Sequence, residues 1–576
     1  MRILLLVHSF NGLSQRLYVE LTADGHELSV ELDIHERVAA EAVRLFRPDV
    51  IVAPFLKRAI PASLWQRHLC FIVHPGPAGD RGPSALDWAI MRGVRSWGVT
   101  VLQAEEELDA GPIWGTAVFP MRFARKSSLY RHEVTEGAVG AVRAALARVA
   151  AGQGPLSVAA EHGCGWQPPL PQTLRAIDWN RDATATVLRK IHSADGSPGI
   201  EDFLFGRRFR LFDAHPEACL TGRPGELIAR RQQAVCRATR DGAVWIGQLQ
   251  PAEGMRRFKS SAVLALGAVA EDLPNSAGAP INAGTWQDGE IRYEEQGAIG
   301  YLHFDFYNGA LATPQCERLR AAYALARQRP TRVLVLMGGA DFWCNGMHLH
   351  CIEAADSPAD ASWENINGID DFAHDILQTD THLTIAAMAG NAAAGGVFLA
   401  LAADRVLARS GIVLNPHYRS MGNLYGSEYW TYLLPRRIGA AQSEVLMSRR
   451  LPLGAPAARS LGLIDDCAGP DAGSFAALVD DNAQRLADSD GFTRALAEKR
   501  LRRERDERAR PLADDRRDEL ERMRMNFYGF DPSYHIARHR FVHRTPHAWT
   551  PLHLARHRAA ASRSVEPAGQ VEPAGQ

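Results

Sequence analysis

The chain has 576 residues, of which 46% are hydrophobic and 23% charged, and its formal net charge is −1. That length is too great for one domain, so three or four cores are expected, and the near-neutral charge gives no reason to expect nucleic acid or an anionic membrane as partner. The eight scattered cysteines include no CxxC pair and no metal-ligand spacing, which argues against a disulfide framework and reads as reduced thiols in a cytoplasmic protein.

MRILLLVH at the start is too short to cross a membrane and predicts a buried first strand. HSFNGLSQRLYVEL is a polar loop entering a helix. HELSVEL, PDVIVAPF and LCFIVHPG are the next three strands. Strands alternating with helical stretches predict an open parallel α/β sheet over residues 1–170, of the Rossmann-like class. Ligands on such sheets bind at the carboxyl ends of strands. His74 ends the fourth strand, ahead of Pro75 and Gly76, which puts its imidazole at the ligand edge. Residues 171–275 read as short strands with turns, GELIARRQQAVCRATRDGAVWIGQLQP among them, and predict a small open OB-like barrel. The stretch near 276–285 is small and Gly/Pro-containing and marks a linker. A third α/β unit occupies 286–545. Residues 546–576 end in VEPAGQ repeated twice, and this tail is expected to be disordered.

The segment HPGPAGDRGPSALDWAIMRG, followed by GVTVLQAEEELDAGPIWG, resembles the folate-dependent formyltransferases. Their signature has a strand-end His, a loop with Gly-Pro, then G-V-T and D-x-G-x-I. The resemblance implies that His74 polarises the formyl carbonyl and that Asp109 orients it and organises proton transfer. Two family positions differ: an Asn two residues before the His is Ile72, and a His after G-V-T-x is Leu102. The β module at 171–275 resembles the carboxyl-terminal domain of methionyl-tRNA formyltransferases. Aromatics are few there and acidic residues are interspersed, so a spacer or a phosphate clamp is expected rather than an RNA reader.

Downstream, FWCNGMHL at 342–349 and GNAAAGGVFLALAADRVLARSGIVLNPHYRSMGNLYGSE at 390–428 resemble the enoyl-CoA hydratase/isomerase (crotonase) family. The resemblance places an oxyanion hole at the amides of Met347 and Gly395. The two acid positions of the hydratases fall on Phe398 and Tyr418, so the carboxylates that water addition requires are missing. Glu428 follows ten residues after Tyr418, and the two form the available acid/base pair. His348 and His350 have no third ligand nearby in sequence. His535, His539 and His543 recur every four residues, and a solvated or phosphate-facing helix face is the expectation there; no metal is expected.

A formyl-folate site and a thioester oxyanion hole on one chain resemble the nickel–iron hydrogenase maturation factors in which these domains are fused. That resemblance implies two steps: transfer of a formyl group from formyl-tetrahydrofolate to coenzyme A, then decarbonylation of formyl-CoA to carbon monoxide for the hydrogenase iron. The hydrogenase or its other maturation proteins are the implied partners. Gln15, Arg131, Ser193, Arg207, Asn308 and Arg544 are the candidate CoA contacts, and a cavity between the domains is expected. A formyl-CoA hydrolase releasing formate, or a one-carbon carrier scaffold, is the alternative.

Overall fold

The computed structural model describes residues 1–157, 165–254, 256–276, 290–469 and 471–558. The first unit is built on β1 (Arg2–Val7), β2 (Glu27–Leu32), β3 (Val50–Ala53), β4 (Cys70–His74), β6 (Ser96–Gln103) and β7 (Ile113–Pro120), in the order β2-β1-β3-β4-β6-β7. Apolar runs such as ILLLV are buried on both faces, as expected for strands covered by helices on both sides. The first four strands in that order run parallel, but β4–β6 and β6–β7 are antiparallel. The sheet is therefore mixed, where a parallel one was expected. After β4 the chain turns through a loop and the short helix Ala85–Arg92 and re-enters at the edge it left. No crossover is made, so β6 runs back along β4. The loop itself carries β5 (Asp80–Arg81), which pairs with β8 (Gly165–Trp166).

The middle unit is an antiparallel sheet of β9 (Ile200–Leu204), β10 (Arg207–Glu217), β11 (Leu227–Arg231), β12 (Ala234–Ala238) and β13 (Ala243–Pro251), ordered β11-β12-β13-β10-β9, with β14 (Ser260–Ser261) added to β13. The helix Thr184–Ala194 buries Val187, Leu188 and Ile191 against it. Among the described residues no pairing joins β9 to β11, so the barrel is not closed. The expected linker near 276–285 lies, apart from Ser276, outside the described residues.

The third unit has two sheets. The larger is β15 (Ile291–Gln296), β16 (Ile299–Phe304), β17 (Val333–Gly338), β19 (Leu383–Met388), β21 (Arg405–Arg409) and β24 (Asp466–Ala468), paired in that order. The smaller is β18 (Phe342–Cys344), β20 (Asn391–Ala393), β22 (Val413–Asn415) and β23 (Leu453–Gly454). Strands β18, β20 and β22 are parallel, so the segments that leave them emerge on one side.

Residues 546–558, expected to be part of a disordered tail, are packed. Leu554 and Ala555 are buried, the Val30 amide donates to Leu554 O at 3.0 Å, and His557 meets Glu31 at 3.0 Å. Strand β2 is the edge of its sheet, and an edge leaves backbone groups unpaired unless something covers it. This segment provides the cover. Residues 559–576 lie outside the described residues. Among the described residues, no helix is long and apolar enough to cross a membrane.

Candidate active sites

His74 ends β4 with its ring buried, and two carboxylates flank it. Nε2 lies 2.9 Å from Asp80 Oδ2, and Nδ1 lies 3.6 Å from Asp109 Oδ2. Asp109 has a left-handed backbone (φ 55°) and accepts from the Gly82 amide at 3.0 Å. His74 and Asp109, paired in the sequence analysis, are thus brought together. Asp80 was not identified there, although it stands in the same quoted segment. Gly76 must be glycine: a Cβ there would fall 2.4 Å from Asp80 Oδ2 and 2.6 Å from His74 Nε2. Ile72 faces Leu102 across the β4–β6 pairing, so neither departure from the formyltransferase pattern is made good by the other.

A cavity of about 1110 Å³ opens from this site. Its wall includes His74, Asp109 and Arg131 and runs on to Asp341, Phe342 and Asn391 of the third unit. It is the expected space between domains, but Met347, Gly395, Tyr418 and Glu428 do not line it. Asp341 anchors its far side. Its carboxylate accepts from Ser128 at 2.7 Å and His132 at 3.0 Å, and pairs with Arg131 at 3.1 Å and Arg125 at 3.4 Å. Burial alone would raise the Asp341 pKa, but His132 and the arginines hold it well below the carboxylate range. Three of these partners come from residues 125–131, and Tyr130–Val134 forms a π-helical turn. Such turns are frequent at functional sites.

The second site forms where β18 and β20 end. Gly346 (φ 73°) and Ala394 (φ 48°) turn the two chains, and a Cβ on Gly346 would lie 3.4 Å from the Gly395 nitrogen. Among the described residues, no acceptor engages the Met347 or Gly395 amide. Two neighbouring free amides at strand ends suit a developing oxyanion. Beside them, the Tyr418 hydroxyl donates to Glu428 Oε2 at 2.6 Å, and the Ser427 carbonyl oxygen lies 2.9 Å from the same Oη. The Tyr418 ring stacks on Phe398 with centroids 5.4 Å apart. Glu428 is 1% exposed, and an added Cβ on Gly395 would lie 2.0 Å from its Oε1.

Burial pushes the Glu428 carboxyl up to about 8, and the nearby Asp370 carboxylate adds to the rise. Asp370 itself is raised to about 6 by burial, although it accepts from Ser427 Oγ and the Glu428 amide. Glu519 is raised as well, first by burial and then by Asp370. Three buried carboxyls with Arg516 at 3.9 Å from Asp370 cannot all ionise cheaply. Asp370 and Glu519, from the helices Pro358–Leu377 and Leu512–Tyr528, were not identified from sequence.

The candidate CoA contacts divide into two groups. Arg131 faces the cavity, over the Phe342 ring at 4.4 Å. Gln15 bridges units, accepting from Asn415 Nδ2 at 2.9 Å. Asn308 accepts from the Ala310 amide at 3.1 Å, with His348 Nε2 3.5 Å from its Nδ2. Arg544 (φ 52°) is exposed; together with Arg131 it adds repulsion to Lys259, whose ammonium burial lowers to about 8. Lys259 also donates to Tyr307 Oη at 2.7 Å. Three cations therefore gather at the junction of the units. Ser193 and Arg207 are not in that group. Ser193 is fully buried and donates to the Lys190 carbonyl at 2.7 Å within its own helix. Arg207 is exposed in the β9–β10 hairpin, over Phe209. Of the six candidates only Arg131 lines the cavity; burial turns Ser193 away from it and hairpin geometry Arg207, and Gln15, Asn308 and Arg544 lie outside its wall as well. His539 and His543 both turn onto Glu353 Oε1, at 2.8 and 3.2 Å, and their ligand atoms lie close enough to admit a metal ion. Arg538 already neutralises that carboxylate at 2.8 Å. His535 bonds the Phe527 carbonyl instead.

The Gly395 geometry gives a direct test. Gly395→Ala drives a methyl into the Glu428 carboxyl, and a misplacement of that size costs about 100-fold in rate. Whatever turnover the second site supports is expected to fall accordingly, with folding kept, as read by steady-state assay and thermal unfolding.

Comparison with known proteins agrees with this layout. Residues 25–134 match the formyl transferase family, 169–260 the formyl transferase C-terminal domain, and 295–518 the enoyl-CoA hydratase/isomerase family. The chain is 26% identical over 251 residues to the methionyl-tRNA formyltransferase of Magnetococcus marinus, covering 43% of this chain and 80% of that one. It is similar to the solved structure of HypX from Aquifex aeolicus in complex with tetrahydrofolic acid, with a TM-score of 0.93 and 48% identity over 97% of this chain and 99% of that one. The hydrogenase maturation factor HoxX of Bradyrhizobium diazoefficiens is 53% identical over 561 residues, 97% of each chain. With both domains, their order and nearly their whole length shared, the chain belongs to the HypX/HoxX family of hydrogenase maturation factors.

Proposed function

We propose that the chain makes carbon monoxide in two steps: a formyl group passes from formyl-tetrahydrofolate to the thiol of coenzyme A at His74 and Asp109, and formyl-CoA is then split to carbon monoxide and CoA at Tyr418 and Glu428. The carbon monoxide is destined for the hydrogenase iron. The observation that carries the second step is the Tyr418–Glu428 pair at 2.6 Å, buried beside the free Gly395 amide. The folate complex of the Aquifex protein supports the donor in the first step. The junction cations Arg131, Lys259 and Arg544 supply the positive charge that the phosphates of CoA require.

Decarbonylation moves one proton. The formyl C–H bond breaks, the proton passes to the Glu428 carboxylate, and its electron pair becomes the carbon lone pair of carbon monoxide. The C–S bond breaks with its electrons on sulfur, and Glu428 returns the proton there. The Met347 and Gly395 amides hold the formyl oxygen meanwhile. Phe398, fully buried against the Tyr418 ring, excludes the water that would yield formate.

A base held near 8 is protonated at neutral pH and ionises as pH rises. Carbon monoxide release from supplied formyl-CoA should therefore climb through pH 8 and level off above it; a rate that falls over that range would assign Glu428 the acid role instead. The whole reading is tested by incubating the purified protein with formyl-tetrahydrofolate, with and without CoA, and trapping carbon monoxide on reduced haemoglobin. Carbon monoxide in step with tetrahydrofolate supports it. Formate in its place means hydrolysis, and no product means a carrier.

A further inference from the structure

We propose that Asp80 is the positioning residue of the formyl-transfer site, holding His74 in the tautomer whose Nδ1 is a free base. The proposal rests on formyl transfer to a thiol as read above, and it reassigns the roles around the imidazole.

Asp80 is 2% exposed, and its Oδ2 lies 2.9 Å from His74 Nε2. A carboxylate only accepts, so the nitrogen facing it carries the proton. Neutral His74 is then the Nε2–H tautomer, with its lone pair on Nδ1. Asp109, the carboxylate expected to orient the ring, is 3.6 Å from that nitrogen, beyond a hydrogen bond, and is held instead by the Gly82 amide. The face of Nδ1 is thus left for a reacting atom, and His74 lines the cavity while Asp80 does not.

The loop is built to keep this arrangement. Gly76 leaves the only room in which Asp80 and His74 meet. Thr100 Oγ1 clamps the Gly76 carbonyl at 2.8 Å, and Trp97 Nε1 clamps that of Pro75 at 2.8 Å. The β5–β8 pairing holds Asp80 from the other side. The second oxygen, Oδ1, is buried without a partner among the described residues. Buried polar atoms left unpaired call for an explanation. Here the carboxylate's hydrogen bonding goes to one nitrogen, as in a carboxylate that fixes a catalytic imidazole.

This arrangement suits a thiol acceptor. With Ile72 where an amide donor would stand, the site is poor at polarising the formyl oxygen and good at removing a proton. As sulfur attacks the formyl carbon, the S–H bond breaks and its proton passes to Nδ1 while the C–S bond forms. When the bond from carbon to N10 of the folate breaks, the same proton moves from Nδ1 to N10. The products are the formyl thioester and tetrahydrofolate, and no further reactant is needed.

The test is Asp80→Asn in the full chain. The amide can present its NH2 to Nε2 and so favour the opposite tautomer. Expected are a fall of about 100-fold or more in kcat for formyl-CoA formation and a KM for formyl-tetrahydrofolate within about twofold of the native value, since uniform binding is untouched. Nitrogen-15 spectra of histidine-labelled protein, with His74 assigned by its loss in His74→Gln, should show Nε2–H in the native chain and Nδ1–H in Asp80→Asn. Native kcat in Asp80→Asn, or Nδ1–H in the native chain, overturns the proposal. Should the native chain form no formyl-CoA, the two-step reading falls, while the tautomer measurement still decides the role of Asp80. If Asp80→Asn does not fold, Asp80→Glu takes its place: it retains Nε2–H if the proposal holds, and a folded Asp80→Glu with Nδ1–H refutes it.

Discussion

Glu428→Gln should abolish carbon monoxide release from supplied formyl-CoA, by about 1000-fold or more, since the carboxylate proposed to take the formyl proton is lost. Formyl transfer from formyl-tetrahydrofolate to CoA should stay within about twofold of native, because we propose that chemistry for the other site. The substitution is mild for the fold. Burial already keeps Glu428 protonated at neutral pH, and a glutamine oxygen can still accept from Tyr418 in the place of Oε2. The thermal midpoint should therefore barely move, and formyl-CoA should accumulate when both substrates are supplied. Retained carbon monoxide release would remove Glu428 from the chemistry. Formate in place of carbon monoxide would mean that the carboxyl normally acts by excluding water.

His74→Gln should produce the reciprocal result. Tetrahydrofolate release in the presence of CoA falls about 1000-fold, in the range lost with a general base, and carbon monoxide release from supplied formyl-CoA continues. Glutamine is preferred to alanine because Asp80 and Asp109 both face the ring; an apolar replacement would leave buried carboxylate charge without a partner and unfold the loop. If both half-reactions fail together, the two sites share machinery through the Asp341 junction. That result would direct attention to Arg125, Ser128, Arg131 and His132, which converge on Asp341 from the first unit.

Part of each site is legible in the sequence because its geometry is local. Small residues at strand ends announce a close backbone approach in FWCNGM and AAAGG, and the resemblance to the crotonase family is what singles out Met347, Gly395 and Tyr418 there. Glu428 follows Tyr418 within one loop, and the structure places the two side chains 2.6 Å apart. Candidates chosen only for polar type fare less well. Ser193 satisfies its own helix, and Arg207 stands out on a hairpin, since side-chain type does not say which face a residue occupies. Asp80 is not legible in the sequence because its contact with His74 depends on the loop 75–80 folding back on itself, and a glycine-proline loop has no periodicity to reveal that.

By itself the sequence determined the order of the units and where strands end in small residues, while the readings of Phe398, Tyr418, His74 and Asp109 came with the resemblance to known families. The patterns that carry both are a few residues long. Tertiary structure decided the rest. It set the direction of β6, which turns on whether a short helix crosses the sheet. It laid residues 546–558 over the β2 edge. It also brought Asp370 and Glu519 beside Glu428 from helices about 150 residues apart in the chain. A carboxyl's affinity for its proton is the sum of desolvation and all charges within a few ångströms. That sum has no local signature, so the raised proton affinity of the Glu428 carboxyl arises only when distant segments close around it.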